Sequence, residues 1–500
     1  MSHHHGRIRW NVPMKDFNVR SADGLKFKCG VVVDSKFKLY TDRTSVGIWD
    51  VGCWMQRMQT PPRHHNSSII MAGDARSERR THKGRRRSVW DLCLVGAAVV
   101  VVQRLSLWDD IVLAEEAVPA ASQEAPAIHL VFSTGCSDYQ DWQSYLLFHS
   151  TLAVQQDGMV TRIASGRTEA QQEELQKRFD ATIHTMSPSH FRLHFTPNYT
   201  HLLEGVEYNP FNKALGLLHW LRHALDDNID LYADTAFVVL DPDQVLLRPF
   251  VRDYSDQNEL WELPEGPRGL GQGQPMAQRY RLDPNFPQWI NTTGLVNVNQ
   301  LNATDLESLF MVGPPYMALG ADFWPLVEGW ARWVGPVHER SGQFSMSEMY
   351  AYILAALQRN LSHTVGHSFM VSKPGLKGEG WPLLLDAAAP TLPHTIHYCQ
   401  PYKLGPYAFG KRRLPTNIFS CEHPLMVQPS ENVHELYSWV QDPTVEVPAV
   451  TRRQQAFLLV HMAQRINEAA TYYKQHHCGP EANWERSYML SGAPIPADAV

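Results

Sequence analysis

From residue 128 onward, short continuous apolar runs alternate with segments of helical spacing. Ile128–Thr134 (IHLVFST) has an apolar centre and predicts a buried strand that ends in a loop of small residues. Asp141–Leu152 then has helical periodicity, and Met159–Ala164 predicts a second strand. Asn212–Leu225 predicts an amphipathic helix and Thr235–Leu240 (TAFVVL) a further buried strand. This alternation of strands and helices predicts an α/β fold with a mostly parallel central sheet.

The second half of the chain has weaker patterns. Apolar spacing predicts a helix from Ser345 to about Leu357, a strand at Thr395–Cys399 and a polar, helix-prone tail after Ser430. The glycine- and glutamine-rich segment 266–274 follows no predicted strand, so we interpret it as a connection without a phosphate-binding role.

A basic segment followed by an apolar run stands near the front of the chain. Arg76–Ser88 holds seven Lys and Arg residues against one Glu, and Val89–Val102 is apolar except for Asp91. This layout predicts a signal-anchor helix at 89–108, with a cleaved signal peptide and a buried core segment as the alternatives. By the positive-inside rule, 71–88 would stay in the cytosol and all residues after Trp108 would enter the secretory lumen.

These patterns divide the chain into segments. Residues 1–70 fit no segment type, and we interpret them as an uncertain extension, a possible gene-model artefact, because Met71 resembles a natural start. The predicted segments after it are a cytosolic tail at 71–88, an anchor at 89–108, a stem at 109–127, an α/β domain at 128–425 and a helical tail at 426–500.

Composition limits the classes of function. The 500 residues carry a net charge of −6 with 44% hydrophobic residues, which indicates a folded protein without the chain-wide basic field that binds nucleic acid. Four N-x-Ser/Thr sequences suit a lumenal domain: Asn198, Asn291, Asn302 and Asn360. Four cysteines follow the predicted anchor and permit two disulfides whose pairing the sequence leaves open: Cys136, Cys399, Cys421 and Cys478.

The tripeptide Asp241-Pro242-Asp243 follows the predicted strand at Thr235–Leu240. In an extended chain, residues two apart face the same side, so both carboxylates can bind one cation at the carboxyl edge of the sheet. A hard divalent cation prefers such oxygen ligands and neutralises a leaving diphosphate. The alternative is a turn that closes the strand without a ligand.

Five segments in chain order resemble one known family. They are Phe132–Gln143 (FSTGCSDYQDWQ), Asn212–Leu221 (NKALGLLHWL), Phe237–Phe250 (FVVLDPDQVLLRPF), Ser347–Tyr352 (SEMYAY) and His397–Arg412 (HYCQPYKLGPYAFGKR). Together they are similar to the hydroxyproline O-arabinosyltransferases and peptidyl-serine α-galactosyltransferases of plants and green algae. The resemblance covers residues from about Ile128 to Cys421.

The resemblance implies a GT-A-like, Rossmann-like glycosyltransferase of the ER or Golgi membrane, with its catalytic domain in the lumen. It implies transfer, with retention, from a UDP-sugar to hydroxyproline or serine of hydroxyproline-rich cell-wall glycoproteins, with Mn²⁺ or another divalent cation as cofactor. Family arabinosyltransferases often have Glu-Pro-Asp where galactosyltransferases have Asp-x-Asp. Asp-Pro-Asp lies between the two, so arabinofuranose and galactose both stay open.

Several site residues follow from the resemblance. Asp241, Asp243 and His397 would bind the metal, and Asp243 would also be catalytic, together with Glu348. Glu348 has a competing structural role, because Ser345-x-x-Glu348 is a capping-box pattern. The fifth segment ends with Lys411 and Arg412, and cations there would stabilise the charge that develops on a leaving diphosphate. The alternative is a solvated basic turn.

Further residues would bind the nucleotide part of the donor. Thr134, Cys136 and Asp138 mark the first strand-to-helix loop, where Asp141 could also accept a hydrogen bond from ribose. Lys213 could reach a phosphate, although a surface lysine is the commoner role. For Trp142, Tyr350 and Tyr352 we favour packing over sugar binding.

Two other classes of function compete with the transferase. One is a catalytically inactive lumenal protein that binds sugar or peptide and would keep its ligand after Asp243→Ala. The other is a metal phosphoesterase with Asp241 as nucleophile, which would need further acidic and lysine motifs that the sequence does not show in the required order.

Overall fold

The computed structural model describes residues 19–20, 26–34, 50–57, 127–255, 269–292, 294–295, 302–342, 344–367, 369–385, 391–440 and 444–488. The chain divides into two compact units, Met1–Glu116 and Ala117–Val500. In the first unit three strands form an antiparallel sheet with the second strand in its centre: β1 (Val19–Arg20), β2 (Lys26–Asp34) and β3 (Asp50–Arg57).

The predicted cytosolic segment 71–88, the anchor 89–108 and all of the stem except Ala127 lie outside the described residues. Among the helices that the structure does describe, we find none with a long enough apolar stretch to cross a membrane.

The second unit holds the candidate site. Its described helices are α1 (Asp138–Ala153), α2 (Glu169–Thr182), α3 (Phe211–His223), α4 (Ile229–Tyr232), α5 (Phe286–Trp289), α6 (Ala303–Leu309), α7 (Gly320–Arg340), α8 (Ser347–Gln358), α9 (Trp381–Leu385), α10 (Val433–Leu436) and α11 (Ala449–His477). Its described strands are β4 (Ile128–Thr134), β5 (Met159–Ser165), β6 (Phe191–Thr196), β7 (Ala236–Leu240), β8 (Gln244–Leu246), β9 (Met276–Arg279), β10 (Val312–Leu319), β11 (Thr364–Gly366), β12 (Met370–Val371), β13 (Thr395–His397), β14 (Tyr402–Leu404), β15 (Tyr407–Phe409), β16 (Leu425–Met426) and β17 (Arg486–Ser487).

A seven-stranded sheet in the order β11-β9-β10-β7-β4-β5-β6 forms the centre of this unit. Strands β7, β4, β5 and β6 run parallel to one another, and β11 runs parallel to β9. Strand β10 is antiparallel to both of its neighbours. The prediction of an α/β fold with a mostly parallel central sheet is therefore confirmed.

Both faces of the sheet are covered by helices. Because successive side chains of a strand point to opposite faces, Leu130 and Phe132 enter one hydrophobic cluster while Val131 enters the other. Helices α1 and α11 contribute to the first cluster, and α3, α7 and α8 to the second. This double coverage explains why β4 and β7 are buried at every position instead of alternating between buried and exposed residues.

Helix α1 begins three residues before the predicted start at Asp141. The side-chain oxygen of Ser137 accepts a hydrogen bond from the backbone nitrogen of Gln140 (3.3 Å) and caps the helix there. The predicted strand at Thr395–Cys399 is shorter than expected and ends at His397.

The segment predicted as a helical tail after residue 425 contains α11, which is 29 residues long. Its buried Leu459, Met462 and Ile466 belong to the same hydrophobic cluster as Trp142 of α1. A disulfide joins Cys421 to Cys478, just beyond the end of α11. The other two cysteines of this unit, Cys136 and Cys399, are free.

Candidate active site

The two acidic residues of Asp241-Pro242-Asp243 follow directly after β7. The extended geometry that their spacing predicts is not found, because the backbone nitrogen of Gln244 donates to the carbonyl oxygen of Asp241 (3.1 Å) and closes a turn. The side-chain oxygen of Gln244 accepts a hydrogen bond from the backbone nitrogen of Asp241 (3.1 Å) and fixes the same turn. The turn still places both carboxyl groups on one side.

Strand pairing brings the distant His397 to these carboxyl groups. Strand β8 continues from the turn and pairs antiparallel with β13, so that His397 lies opposite Gln244. The backbone nitrogen of Tyr398 also donates to the carbonyl oxygen of Asp243 (3.0 Å). The imidazole Nε2 of His397 lies 3.3 Å from Asp243 Oδ1 and 3.9 Å from Asp241 Oδ2.

These three residues form a donor set that fits a divalent cation. One ligand atom from each of Asp241, Asp243 and His397 lies within 4.8 Å of the other two. Two carboxylate oxygens with one imidazole nitrogen suit Mn²⁺ and related ions. The hydroxyl of Tyr280 lies 3.2 Å from His397 Nδ1, which leaves Nε2 directed at the acids. The sequence contained no signal for Tyr280.

Two lysines contact the same carboxyl groups. The ammonium of Lys213 lies 2.6 Å from Asp241 Oδ1 and also forms an ion pair with Glu348 Oε1. Lys411 forms an ion pair with Asp243 Oδ2. The side chain of Lys213 is only 14% exposed, so the common role of a surface lysine does not apply to it.

The pKa shifts follow from these ion pairs. Burial alone would lower the pKa of His397, but the Asp243 carboxylate raises it well above its usual value. Burial would raise the pKa of Asp243, but His397 and Lys411 hold it below its usual range. For Lys213, Asp241 and Glu348 raise the pKa despite burial. Three carboxyl groups thus face two lysine ammonium groups and the imidazole of His397.

Glu348 is buried in the first turn of α8. Its Oε1 binds Lys213, and its Oε2 has no hydrogen-bond partner among the described residues. Burial raises the pKa of Glu348, and Lys213 opposes that shift. The predicted capping box is wrong: α8 starts at Ser347 after Met346, with no side-chain cap. Because the helix begins later than the pattern implies, Glu348 points into the site instead of capping the helix.

The first strand-to-helix loop is anchored by hydrogen bonds within the protein. Thr134 is buried, donates to the carbonyl oxygen of Ile163 (3.2 Å) and accepts from Arg162 Nε (3.0 Å). Cys136 and Asp138 are exposed, and the Cys136 sulfur lies 3.5 Å from Gln171 Oε1. The structure therefore places these three residues at the carboxyl end of β4 but does not bring them into contact with Asp241, Asp243 or His397.

Asp141 has a structural role that the sequence did not reveal. Three guanidinium groups form ion pairs with its carboxylate, those of Arg162, Arg167 and Arg178. Because three arginines already bind its carboxylate, Asp141 is not expected to accept hydrogen bonds from ribose hydroxyls. The neighbouring Trp142 is buried and its ring stacks with Tyr398, with centroids 6.1 Å apart, so its packing role is as expected. Tyr350 and Tyr352 are also buried in the core.

Arg412 differs from Lys411 although the two are adjacent. Lys411 forms an ion pair with Asp243, whereas Arg412 is exposed and forms no ion pair with the residues that the structure describes. The structure therefore brings together Asp241, Asp243, His397, Glu348, Lys213 and Lys411 of the residues predicted from the sequence.

A comparison with known proteins tests the family resemblance. The chain is 24% identical over 412 residues to the peptidyl serine alpha-galactosyltransferase of Arabidopsis thaliana, an alignment that covers 79% of this chain. The predicted resemblance is confirmed. The chain spans 43% of the length of that relative. No protein-family profile matches the chain.

Solved structures with partial similarity include two glycosyltransferases. One is the bifunctional glycosyltransferase WbbM, with a TM-score of 0.33 and 12% identity over 56% of this chain and 47% of that chain. The other is the galactosyltransferase LgtC in complex with donor and acceptor sugar analogues, with a TM-score of 0.31 and 14% identity over 57% of this chain and 93% of that chain.

Proposed function

We propose that this protein is a metal-dependent glycosyltransferase with a GT-A-like fold that transfers a sugar from a UDP-sugar to serine or hydroxyproline of a hydroxyproline-rich protein, with retention. The observation that carries the proposal is the convergence of Asp241, Asp243 and His397 at the end of a buried strand, with Lys213 and Lys411 beside them. The relative named above is a galactosyltransferase that acts on peptidyl serine, which makes UDP-galactose and serine the first pair to test.

Each residue of the cluster has a separate task in this proposal. Asp241, Asp243 and His397 hold the divalent cation, which would supply charge neutralisation at the diphosphate. Lys411, which pairs with Asp243, would stabilise the negative charge that develops on the diphosphate oxygens. Lys213 pairs with the carboxyl groups of both Asp241 and Glu348 and so offsets the repulsion between them.

Glu348 is the residue placed to act on the sugar. Its Oε2 is free to accept a hydrogen bond from a sugar hydroxyl or to stabilise positive charge at the anomeric carbon. In the retaining reaction, the bond from the anomeric carbon to the diphosphate breaks and the acceptor oxygen bonds to the same face. The departing diphosphate takes the proton of the acceptor hydroxyl, so Glu348 need not serve as a base.

We also propose that the protein is a type II membrane protein of the Golgi or ER. The basic segment 71–88 ahead of the apolar run supports this orientation. The disulfide between Cys421 and Cys478 suits an oxidising compartment such as the secretory lumen.

The test is a donor assay on the purified full chain. With Mn²⁺ and a serine- and hydroxyproline-containing peptide, we expect transfer from UDP-galactose, and UDP-arabinofuranose serves as the competing donor. Asp243→Asn should lower turnover at least about 100-fold, because the metal loses a charged ligand. Failure to hydrolyse or transfer from any UDP-sugar, with ligand binding kept in Asp243→Asn, would identify a lumenal binding protein instead.

A further inference from the structure

Three histidines meet on the side of the sheet that α3 covers, away from the candidate active site. His194 lies on β6, the edge strand of the seven-stranded sheet. His219 and His223 lie four residues apart on α3, so both rings project from the same face of the helix. A pair of histidines at this helical spacing is a common way to bind a transition metal through two imidazoles.

The distances suit a shared ion. His194 Nε2 lies 3.0 Å from His219 Nδ1, and the two ring centroids are 5.2 Å apart. Two imidazole nitrogens on one tetrahedral zinc ion, each at about 2.0–2.1 Å, lie roughly 3.3 Å apart. Binding would thus need only a small separation of these rings, with the protons held on the opposite nitrogens, His194 Nδ1 and His219 Nε2.

His223 can complete the set by a change of rotamer. Its ring centroid lies 4.2 Å from that of His219, and its side chain is exposed, so the ring can turn without disturbing the core. His223 also lies in the last turn of α3, where the negative end of the helix dipole favours a cation.

The surroundings of the rings favour the uncharged form of imidazole. Burial, together with the neighbouring His219 and His223, lowers the pKa of His194 to about 4. Burial also lowers the pKa of His219, with His223 acting in the same direction. Neutral imidazole is the form that binds metals, so these histidines lose little by releasing protons to an incoming ion.

We propose that His194, His219 and His223 form a second metal site, specific for a divalent cation that prefers imidazole ligands, such as Zn²⁺, with water in the remaining position. The absence of carboxylates from this set distinguishes it from the Asp241, Asp243 and His397 cluster, which suits harder ions.

Such an ion would tie α3 to the edge of the sheet. His219 lies six residues after Lys213, about 9 Å further along the helix axis, so the ion would not touch the candidate active site. It would instead hold in place the helix whose first turn carries Lys213. The expected effect is a zinc-dependent rise in the melting temperature.

The experiment measures Zn²⁺ bound to the full chain, purified in detergent and stripped with a chelator. We compare wild type with His219→Ala, His194→Ala and His223→Ala, and use His201→Ala, an exposed loop histidine, as the matched control. Because His3, His4 and His5 can also bind zinc, the quantity of interest is the difference between variants. Asp243→Asn, which disables the other metal cluster, is included to separate the two sites.

We expect one more equivalent of bound Zn²⁺ in wild type, His201→Ala and Asp243→Asn than in His219→Ala or His194→Ala. When Co²⁺ replaces Zn²⁺, the visible absorption spectrum should be that of tetrahedral cobalt. Melting temperatures in chelator check that each variant folds, and His223→Ala, at an exposed position, should fold normally and bind more weakly. Equal zinc content in wild type, His219→Ala and His223→Ala would overturn the proposal, as would a zinc equivalent that disappears in Asp243→Asn.

Discussion

Lys213 lies between two carboxyl groups that come from distant parts of the chain, Asp241 after β7 and Glu348 in α8. Both carboxyl groups are largely buried, so the positive charge of the Lys213 ammonium is what offsets the repulsion between them. The position of this one side chain therefore affects both the stability of the site and the shape that it offers to a substrate.

We predict that Lys213→Met lowers the free energy of unfolding by about 3–5 kcal/mol, because it leaves two buried carboxyl groups without a cation. The double variant Lys213→Met/Glu348→Gln should recover part of that loss, since one of the uncompensated charges is gone. Urea unfolding of both variants and of Glu348→Gln alone forms the thermodynamic cycle. If the changes in unfolding free energy of the two single variants summed to that of the double variant, Lys213 and Glu348 would not interact as described.

Lys411 and Arg412 provide a matched comparison of neighbouring cations. We predict that Lys411→Met lowers kcat at least about 10-fold, because a cation is removed next to the developing diphosphate charge. Arg412→Met should change kcat less than about twofold, since its side chain is exposed and outside the cluster. Steady-state kinetics with a UDP-sugar compares them, and equal losses would exclude a special role for Lys411.

At the residue scale the sequence predicts ligands better than supporting contacts. The Asp-Pro-Asp spacing indicated a metal site, and the family resemblance added His397, Glu348, Lys213 and Lys411. Tyr280 and the three arginines around Asp141 had no signal, because their contacts depend on strands and helices that meet only in the folded chain.

At the scale of elements, α11 and the segment before it are joined by the Cys421–Cys478 disulfide, with a sequence separation of 57. Lys474 of α11 adds to this junction by donating to the carbonyl oxygens of Ser420 (2.9 Å) and Cys421 (3.0 Å). The junction holds the C-terminal end of the long helix against the first hydrophobic cluster.

We predict that Cys421→Ser/Cys478→Ser lowers the free energy of unfolding by about 2–4 kcal/mol, because the unfolded chain regains the freedom that a closed loop of this length removes. Cys136→Ser, which alters a free and exposed cysteine, is the control and should leave stability unchanged. Denaturant unfolding without reductant measures both. If the double variant matched wild type, the bond would have no part in stability.

Strand β10 shows why the sequence pattern does not predict some elements. Its sequence VGPPYMAL contains two prolines, which cannot donate to a ladder and argue against an interior strand. Nevertheless β10 lies between β7 and β9. The register with β9 shifts between Gly313 and Tyr316, so the prolines occupy an irregular position where no ladder donor is needed. The strands β4, β5 and β7 contain no proline, and their sequence pattern was sufficient to predict them.

At the scale of the whole molecule, uncharged histidines are buried on both sides of the sheet. Burial lowers the pKa of His129 and of His394 to about 3, and that of His363 to about 4. In the unfolded chain these groups regain a pKa near 6.5. Below that value the unfolded state binds more protons than the folded state, so stability falls as the pH decreases from about 6.5 towards 3.

We predict that the free energy of unfolding is lower at pH 5.5 than at pH 7.5, by roughly 1 kcal/mol for each of these three histidines. His394→Phe keeps an aromatic ring beside Phe250, whose centroid lies 4.9 Å away, and should show a smaller pH dependence than wild type. Urea titrations at both pH values test this. Identical stabilities at the two pH values would contradict the burial of neutral imidazoles.

The long helix at the end of the described chain has a practical consequence for recombinant production. A polypeptide shortened at residue 425, near where the family motifs stop, would lose α11 and uncover Tyr145, whose ring centroid lies 5.7 Å from that of Tyr473. Freshly exposed aromatic surface of this kind promotes aggregation. A recombinant protein whose C-terminus lies beyond residue 488 keeps this surface covered and should be more soluble.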